Sequence, residues 1–148
     1  MIIVKRIENR KDLKKAQEIR HVVFVIGQNV PEEDEIDAFE NESNHYLAFL
    51  NNTPVGAARW RVTSNGVKLE RFSVLKEYRG SGVGAELVEQ IIKDLKRIEE
   101  SKNKEIYLHA QIDVVPFYRK FGFAKVGDMF EESGILHYKM IYKDKSMS

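Results

Sequence analysis

Arg79-Gly80-Ser81-Gly82-Val83-Gly84 is the segment whose residue types and spacing are best suited to chemistry. A β-prone stretch ends at Val74, a polar glycine-rich turn follows, and a stripe of helical period begins at Leu87. The first turn of a helix has unpaired N–H groups and a partial positive charge, so it binds anions. Glycine lets the backbone approach a phosphate with no Cβ in the way. Arg79 adds a permanent charge at the mouth. Three glycines alone would also make a tight turn, but a strand before them and a long helix after them favour a phosphate cradle. The loop is not a P-loop, because no Gly-Lys-Ser/Thr follows. Gly80, Gly82 and Ala85 do satisfy the Gly-x-Gly-x-x-Gly/Ala letters of a dinucleotide fold. That fold needs the motif directly after its strand and an acid at the end of the next strand. Here residues 76–79 intervene and the next strand ends in His109-Ala110, which disfavours a nicotinamide-dependent enzyme.

Composition narrows the chemistry further. The 148 residues include no Cys, which excludes disulfides, thiolate zinc sites and a cysteine nucleophile. The four His and the many carboxylates show no metal-ligand spacing, so no metal is expected. Lys plus Arg number 24 against 23 Asp plus Glu, a net +1 that argues against a nucleic-acid or anionic-membrane partner. No apolar run spans a bilayer, and Met1-Ile2-Ile3-Val4 meets a charge at Lys5, unlike a signal-peptide core. The expected location is the cytoplasm. With no linker, repeat or low-complexity tract, residues 1–148 read as a single domain.

The elements that must position the loop follow from periodicity. Residues 2–6 read as a first strand. Asn9 with Asp12 resembles a capping box, and Leu13, Ala16, Ile19, Val23 and Ile26 recur at helical spacing, so one helix is expected to run to Gly27. The acidic residues 32–42, anchored by Ile36 and Phe39, suit a short second helix. Residues 45–50, 55–62 and 67–74 are strands joined at Asn51-Asn52 and Asn65-Gly66, an antiparallel meander. Leu87, Val88, Ile91, Ile92, Leu95 and Ile98 stripe a long helix. Residues 105–110 form a strand, Asp113 caps a short helix ending at Gly122, and residues 123–130 and 135–142 form the last two strands. The order β-α-α-β-β-β-α-β-α-β-β predicts an α/β (α+β) fold, with about seven strands in a mixed central sheet flanked by helices.

Two motifs at this separation resemble the GNAT superfamily of N-acetyltransferases. Arg79-Gly80-Ser81-Gly82-Val83-Gly84 is similar to the family's Arg/Gln-x-x-Gly-x-Gly/Ala pyrophosphate loop, with Val74 at its strand-end valine. Phe117-Tyr118-Arg119-Lys120-Phe121-Gly122-Phe123 resembles its Phe-Tyr-x-Lys-x-Gly-Phe motif. The element order is the GNAT order, so the resemblance covers essentially the whole chain. Gln28-Asn29-Val30-Pro31, His109-Ala110-Gln111 and Gly134-Ile135-Leu136-His137 look like a small bacterial branch whose acceptors are poorly defined.

The resemblance implies acetyl-CoA as cosubstrate, its pantetheine arm lying in a gap between the strand before the loop and the next parallel strand. Phe72, Ser73 and Val74 would pair with it through their backbone. Residues Arg79, Gly80, Ser81, Gly82, Val83 and Gly84 would hold the pyrophosphate. Gln111 falls where many members have an Asn that touches the cofactor. Tyr118 would protonate or hydrogen-bond the departing thiolate, although a packing role suits it as well. An amine nucleophile must lose a proton, which favours a His or a carboxylate of raised pKa. His109, at the end of the strand bordering the gap, and Glu70, on one face with Phe72 and Val74 by the period of two, are the base candidates. Glu33 and Asp37, in the acidic run, could attract a cationic amine or merely line a solvated face. Arg20, His45 and His137 are further acceptor-site candidates by the resemblance.

The leading expectation is an N-acetyltransferase acting on a small-molecule or peptide primary amine, by direct attack in a ternary complex. The competing one is a non-catalytic CoA-binding or regulatory module, because fold alone does not fix activity. GNAT proteins often dimerise, so a homodimer is compatible with either.

Overall fold

The computed structural model describes residues 1–143. Its sheet has seven strands: β1 (Ile2–Arg6), β2 (Asn44–Leu50), β3 (Thr53–Thr63), β4 (Gly66–Val74), β5 (Ile106–Gln111), β6 (Phe123–Glu132) and β7 (Ile135–Tyr142). They lie in the order β1-β2-β3-β4-β5-β7-β6. Every neighbouring pair is antiparallel except β4 with β5. The element order and the mixed sheet are those expected from the sequence.

One face of the sheet packs on α3 (Val83–Leu95) and α4 (Val115–Arg119). Tyr46, Trp60, Leu69, Leu87, Ile91, Leu108 and Met140 form its core, each at most 2% exposed. The stripe read from the sequence is buried through Leu95. Ile98 lies just past the end of α3 and is half-buried. The other face carries α1 (Arg10–Arg20) and α2 (Glu32–Glu35), and its apolar cluster is small: Ala16, Ile19, Val23, Leu47 and Ala57. Asn9 caps α1, its Oδ1 accepting from the Asp12 N–H at 2.8 Å.

The first helix reaches Ile26 before Gly27 as expected, but it is not α-helical throughout. After Arg20 the chain winds as a π-helix over His21–Ile26. Four of those six residues, Val22, Val23, Val25 and Ile26, are β-branched and crowd the preceding turn of an α-helix. The acidic stretch gives only one turn of α-helix, then a 3-10 turn at Glu40–Glu42. The last hairpin turns on Ser133 and Gly134 alone, both at positive φ, so β6 reaches Glu132.

Candidate active site

The parallel pairing of β4 with β5 lasts three rungs: Val67 with Ile106, Lys68 with Tyr107, and Leu69 with Leu108. Beyond them each strand stays with its outer neighbour. Ser73 and Val74 pair with Ala57 and Gly56 of β3, while His109, Ala110 and Gln111 pair with Lys139, Tyr138 and His137 of β7. The sheet therefore opens, and the inner edge from Glu70 to Val74 is free of β5. An unpaired strand edge is a template for an extended ligand.

A β-bulge marks the opening. Ala57 faces Ser73 and Arg59 faces Glu70, so Arg71 and Phe72 together oppose Ala58. Arg71 sits at φ 61°, a left-handed conformation uncommon outside glycine. Its guanidinium is anchored to the Glu35 carboxylate at 2.9 Å and to Asp37 at 3.3 Å. The extra residue shifts the side-chain alternation. Val67, Leu69, Phe72 and Val74 all pack on the α3 side, whereas Lys68 and Glu70 face the ion pairs of β3. Glu70 thus does not share a face with Phe72 and Val74, contrary to the period-two expectation.

The glycine loop lies beside this gap. Gly80 and Gly82 have φ of 82° and 95°, so a side chain at either would be strained. Gly82 is the N-cap of the 13-residue α3 and supplies no side-chain cap, leaving the first-turn N–H groups without one. Gly84 is required for a different reason: a Cβ there would lie 3.3 Å from Cζ of Phe117, so it sets the approach of α4 to α3. Arg79 folds back, its Nε donating to the Val74 carbonyl at 3.0 Å, and the Ser81 hydroxyl donates to the Tyr78 carbonyl.

Tyr118, on α4, is 7% exposed and wedged edge-on against Phe72, Phe117 and Phe123, at centroid distances of 5.8, 5.1 and 6.0 Å. Its hydroxyl has no hydrogen-bond partner among the described residues. Burial pushes the phenol pKa upward, so the group stays a neutral donor. His109 stands one residue past the last parallel rung. Its Nδ1 lies 3.2 Å from Oε1 of Glu132, and its ring sits edge-on over Phe130 at 4.9 Å. Gln111 exchanges two hydrogen bonds with Gln28, at 2.9 and 3.3 Å, so its amide joins the loop after the π-helix to the end of β5.

Arg20, Asp37, His45 and Glu70 fall in a largely buried ionic network on the α1 face. Arg20, 1% exposed, bonds Glu35 at 2.9 Å and Glu40 at 2.7 Å. Arg59, fully buried, bonds Asp37 and Glu40 at 2.7 Å and Glu70 at 3.1 Å. Glu70 is also held by Arg61 at 2.7 Å and Lys68 at 3.3 Å. Burial alone would raise the Glu70 pKa, but Arg59, Lys68 and Arg61 outweigh it and the net shift is downward. That corrects its assignment as a base: its oxygens are committed to three cations. The same competition, with Arg20 and Gln17 as partners, brings Glu40 down to about 2. His45 donates from Nε2 to the Glu40 carbonyl at 2.9 Å, and burial lowers its pKa. Arg20, Asp37 and His45 are thus engaged inside the protein rather than arrayed in an open acceptor pocket. Glu33 is exposed on α2 and belongs to none of these pairs. His137 is buried beneath Glu132, its Nδ1 donating to the Ile135 carbonyl at 2.7 Å.

Sequence reasoning missed Arg59, Arg71, Glu35, Glu40 and Glu132. Glu132 was hidden by its position in an acidic stretch read as a turn. A two-residue Ser-Gly hairpin loop was the signal that would have returned it to the strand.

A sheet splayed between two parallel strands beside a glycine-capped helix defines an acetyltransferase class. The chain belongs to the GNAT family: the model of the acetyltransferase (GNAT) domain matches residues 12–143. Among its relatives, YjcF of Bacillus subtilis (strain 168), described as an uncharacterized N-acetyltransferase, is 40% identical over 135 residues, covering 90% of this chain and 94% of YjcF. ElaA of Escherichia coli (strain K12) is 31% identical over 127 residues, 83% of this chain and 82% of ElaA. The crystal structure of Escherichia coli ElaA matches with a TM-score of 0.84 at 28% identity, over 97% of this chain and all of that one. A GNAT family acetyltransferase from Elizabethkingia anophelis with acetyl-CoA bound shares the fold, with a TM-score of 0.69 at 17% identity over 95% of this chain and 94% of that one.

Proposed function

We propose that this chain transfers an acetyl group from acetyl-CoA to a primary amine, small or peptide-borne, by direct attack in a ternary complex. The observation that carries the reading is the gap that opens past Leu69 and Leu108 next to the glycine-capped start of α3. The fit to acetyl-CoA is physical. Positive φ at Gly80 and Gly82, with nothing within 4 Å of a Cβ at Gly80, leaves bare backbone for a pyrophosphate. The free edge at Phe72, Ser73 and Val74 suits the amides of a pantetheine arm. An acetyl-CoA bound in this way supplies a thioester, whose acyl carbon is attacked and whose thiolate departs.

The chain's own residues do the rest. Tyr118 keeps its proton because it is buried, and its hydroxyl is free to donate it toward a developing thiolate. His109, at the mouth of the gap, accepts the proton the amine must lose. The carboxylates of the α1 face are already neutralised by arginines, so they hold the bulge in place rather than concentrate a cationic acceptor. The test is acetyl-CoA turnover against polyamines, amino acids, aminoglycosides and peptides. At least one primary amine should be acetylated, with Tyr118→Phe lowering kcat about 10²-fold while the KM for acetyl-CoA moves little. Acetyl-CoA binding with no turnover on any amine would instead make the chain a CoA-binding module.

A further inference from the structure

Glu132 stands across β7 from β5, yet it reaches His109. Its two oxygens face two imidazoles: Oε1 lies 3.2 Å from His109 Nδ1 and Oε2 lies 3.8 Å from His137 Nε2. Phe130 fixes both rings, edge-on to His109 at 4.9 Å and stacked on His137 at 5.8 Å. His137 is locked by its own donation to the Ile135 carbonyl. The hydrogen bond from His109 holds the Glu132 pKa down to about 2, with burial opposing and Lys68 assisting, so the group is a carboxylate throughout the neutral range. An ionised carboxylate only accepts hydrogen bonds. The proton on neutral His109 must therefore sit on Nδ1, and the Nε2 lone pair is left bare.

We infer that Glu132 is the positioning residue for His109, fixing its Nδ1–H tautomer and ring orientation so that Nε2 accepts the proton of the acceptor amine. This deepens the proposed reaction and rests on it. As the new N–C bond forms, the amine proton passes to Nε2 while the C–S electron pair leaves on sulfur. The imidazolium then remains bonded to Glu132, as when a carboxylate orients a catalytic histidine. The other charged groups at this spot come from several elements. Lys68 belongs to β4, Lys139 of β7 lies 4.9 Å from the Tyr107 ring, and Asp34 of α2 accepts from Ser133 at the hairpin tip at 3.4 Å. Among the described residues only Glu132 is bonded to the His109 ring.

The experiment has two arms. Long-range 1H–15N spectra of the unliganded protein at pH 8 read the imidazole tautomers directly, independently of activity. Wild type should give His109 protonated at Nδ1, and Glu132→Ala should lose that preference. Glu132 is 45% exposed on its side chain, so the variant is expected to fold. Kinetically, Glu132→Ala should lower kcat by about 10- to 100-fold with the acetyl-CoA KM unmoved. In a His109→Gln background it should lower kcat no further. An unchanged tautomer in Glu132→Ala, or the same kcat loss with and without His109, would overturn the assignment. If wild type acetylates no amine, the proposed reaction fails, and the spectra alone still decide whether Glu132 sets the tautomer.

Discussion

On the α3 side of the sheet, Trp60, Leu87, Ile91 and Leu108 exclude water by shape, and the few polar atoms are matched: Trp60 Nε1 donates to Tyr46, whose hydroxyl donates to Asp94 at 2.7 Å. On the α1 side, Arg20, Arg59, Glu35, Glu40 and Glu70 occupy the equivalent depth, each less than 9% exposed. There the packing is directional, and it leaves Arg59 Nε as the only buried side-chain polar atom without a partner among the described residues. An apolar layer tolerates small shifts, whereas a paired-charge layer fixes its members in one geometry. That geometry holds Arg71 at φ 61° and so sets the bulge where the sheet opens. The apolar face makes the domain, and the ionic face shapes the gap.

Removing one charge from the second face gives the largest expected effect. Arg59→Leu removes the buried cation that Asp37, Glu40 and Glu70 share, and urea unfolding at pH 7 should register a loss of about 3–5 kcal/mol. The loss should depend on pH. Against the opposing effect of burial, Arg59 holds the Asp37 and Glu70 carboxyls below their ordinary values of 3.8 and 4.5, so these pairs contribute fully above pH 4.5 and are lost as pH falls through the lowered folded values. The difference between Arg59→Leu and wild type should therefore shrink over that range. Ile91→Val on the apolar face should cost about 0.5–1.5 kcal/mol at either pH. A pH-independent Arg59→Leu loss would erase the distinction between the faces. The smallest effect is expected at Glu33, which pairs with none of the arginines. Glu33→Gln should stay within about 0.5 kcal/mol of wild type and leave the amine KM unchanged.

What could be read from the sequence divides along the same line. Apolar periodicity is a local signal, so the α3 stripe, the strand meander and the α4 motif were legible. The Gly80 and Gly82 turn was legible because glycine announces positive φ. The ionic face was not. Arg59 flanks Trp60 in a strand and looks exposed, while Glu35 and Glu40 dissolve into a charge run, because a partner 15 to 20 residues away leaves no periodic trace. The bulge was equally silent, and by shifting one residue it moved Glu70 off the face on which alternation had put it. Tyr118 was suggested by the family motif and His109 by residue type and position, whereas Glu132 emerged only once pairing through β7 brought β6 near β5.

The central claim is that the backbone of the glycine loop holds acetyl-CoA at the opening of the sheet. Calorimetric titration of acetyl-CoA into wild type and Gly82→Val tests it most directly. Gly82 sits at φ 95°, where a β-branched residue is strained and its side chain would cover backbone that the glycine leaves bare. Wild type should bind one equivalent, and Gly82→Val, if its circular dichroism matches wild type, should bind at least about 10-fold more weakly, the equivalent of 1.4 kcal/mol. Equal affinity in the two proteins would contradict the claim.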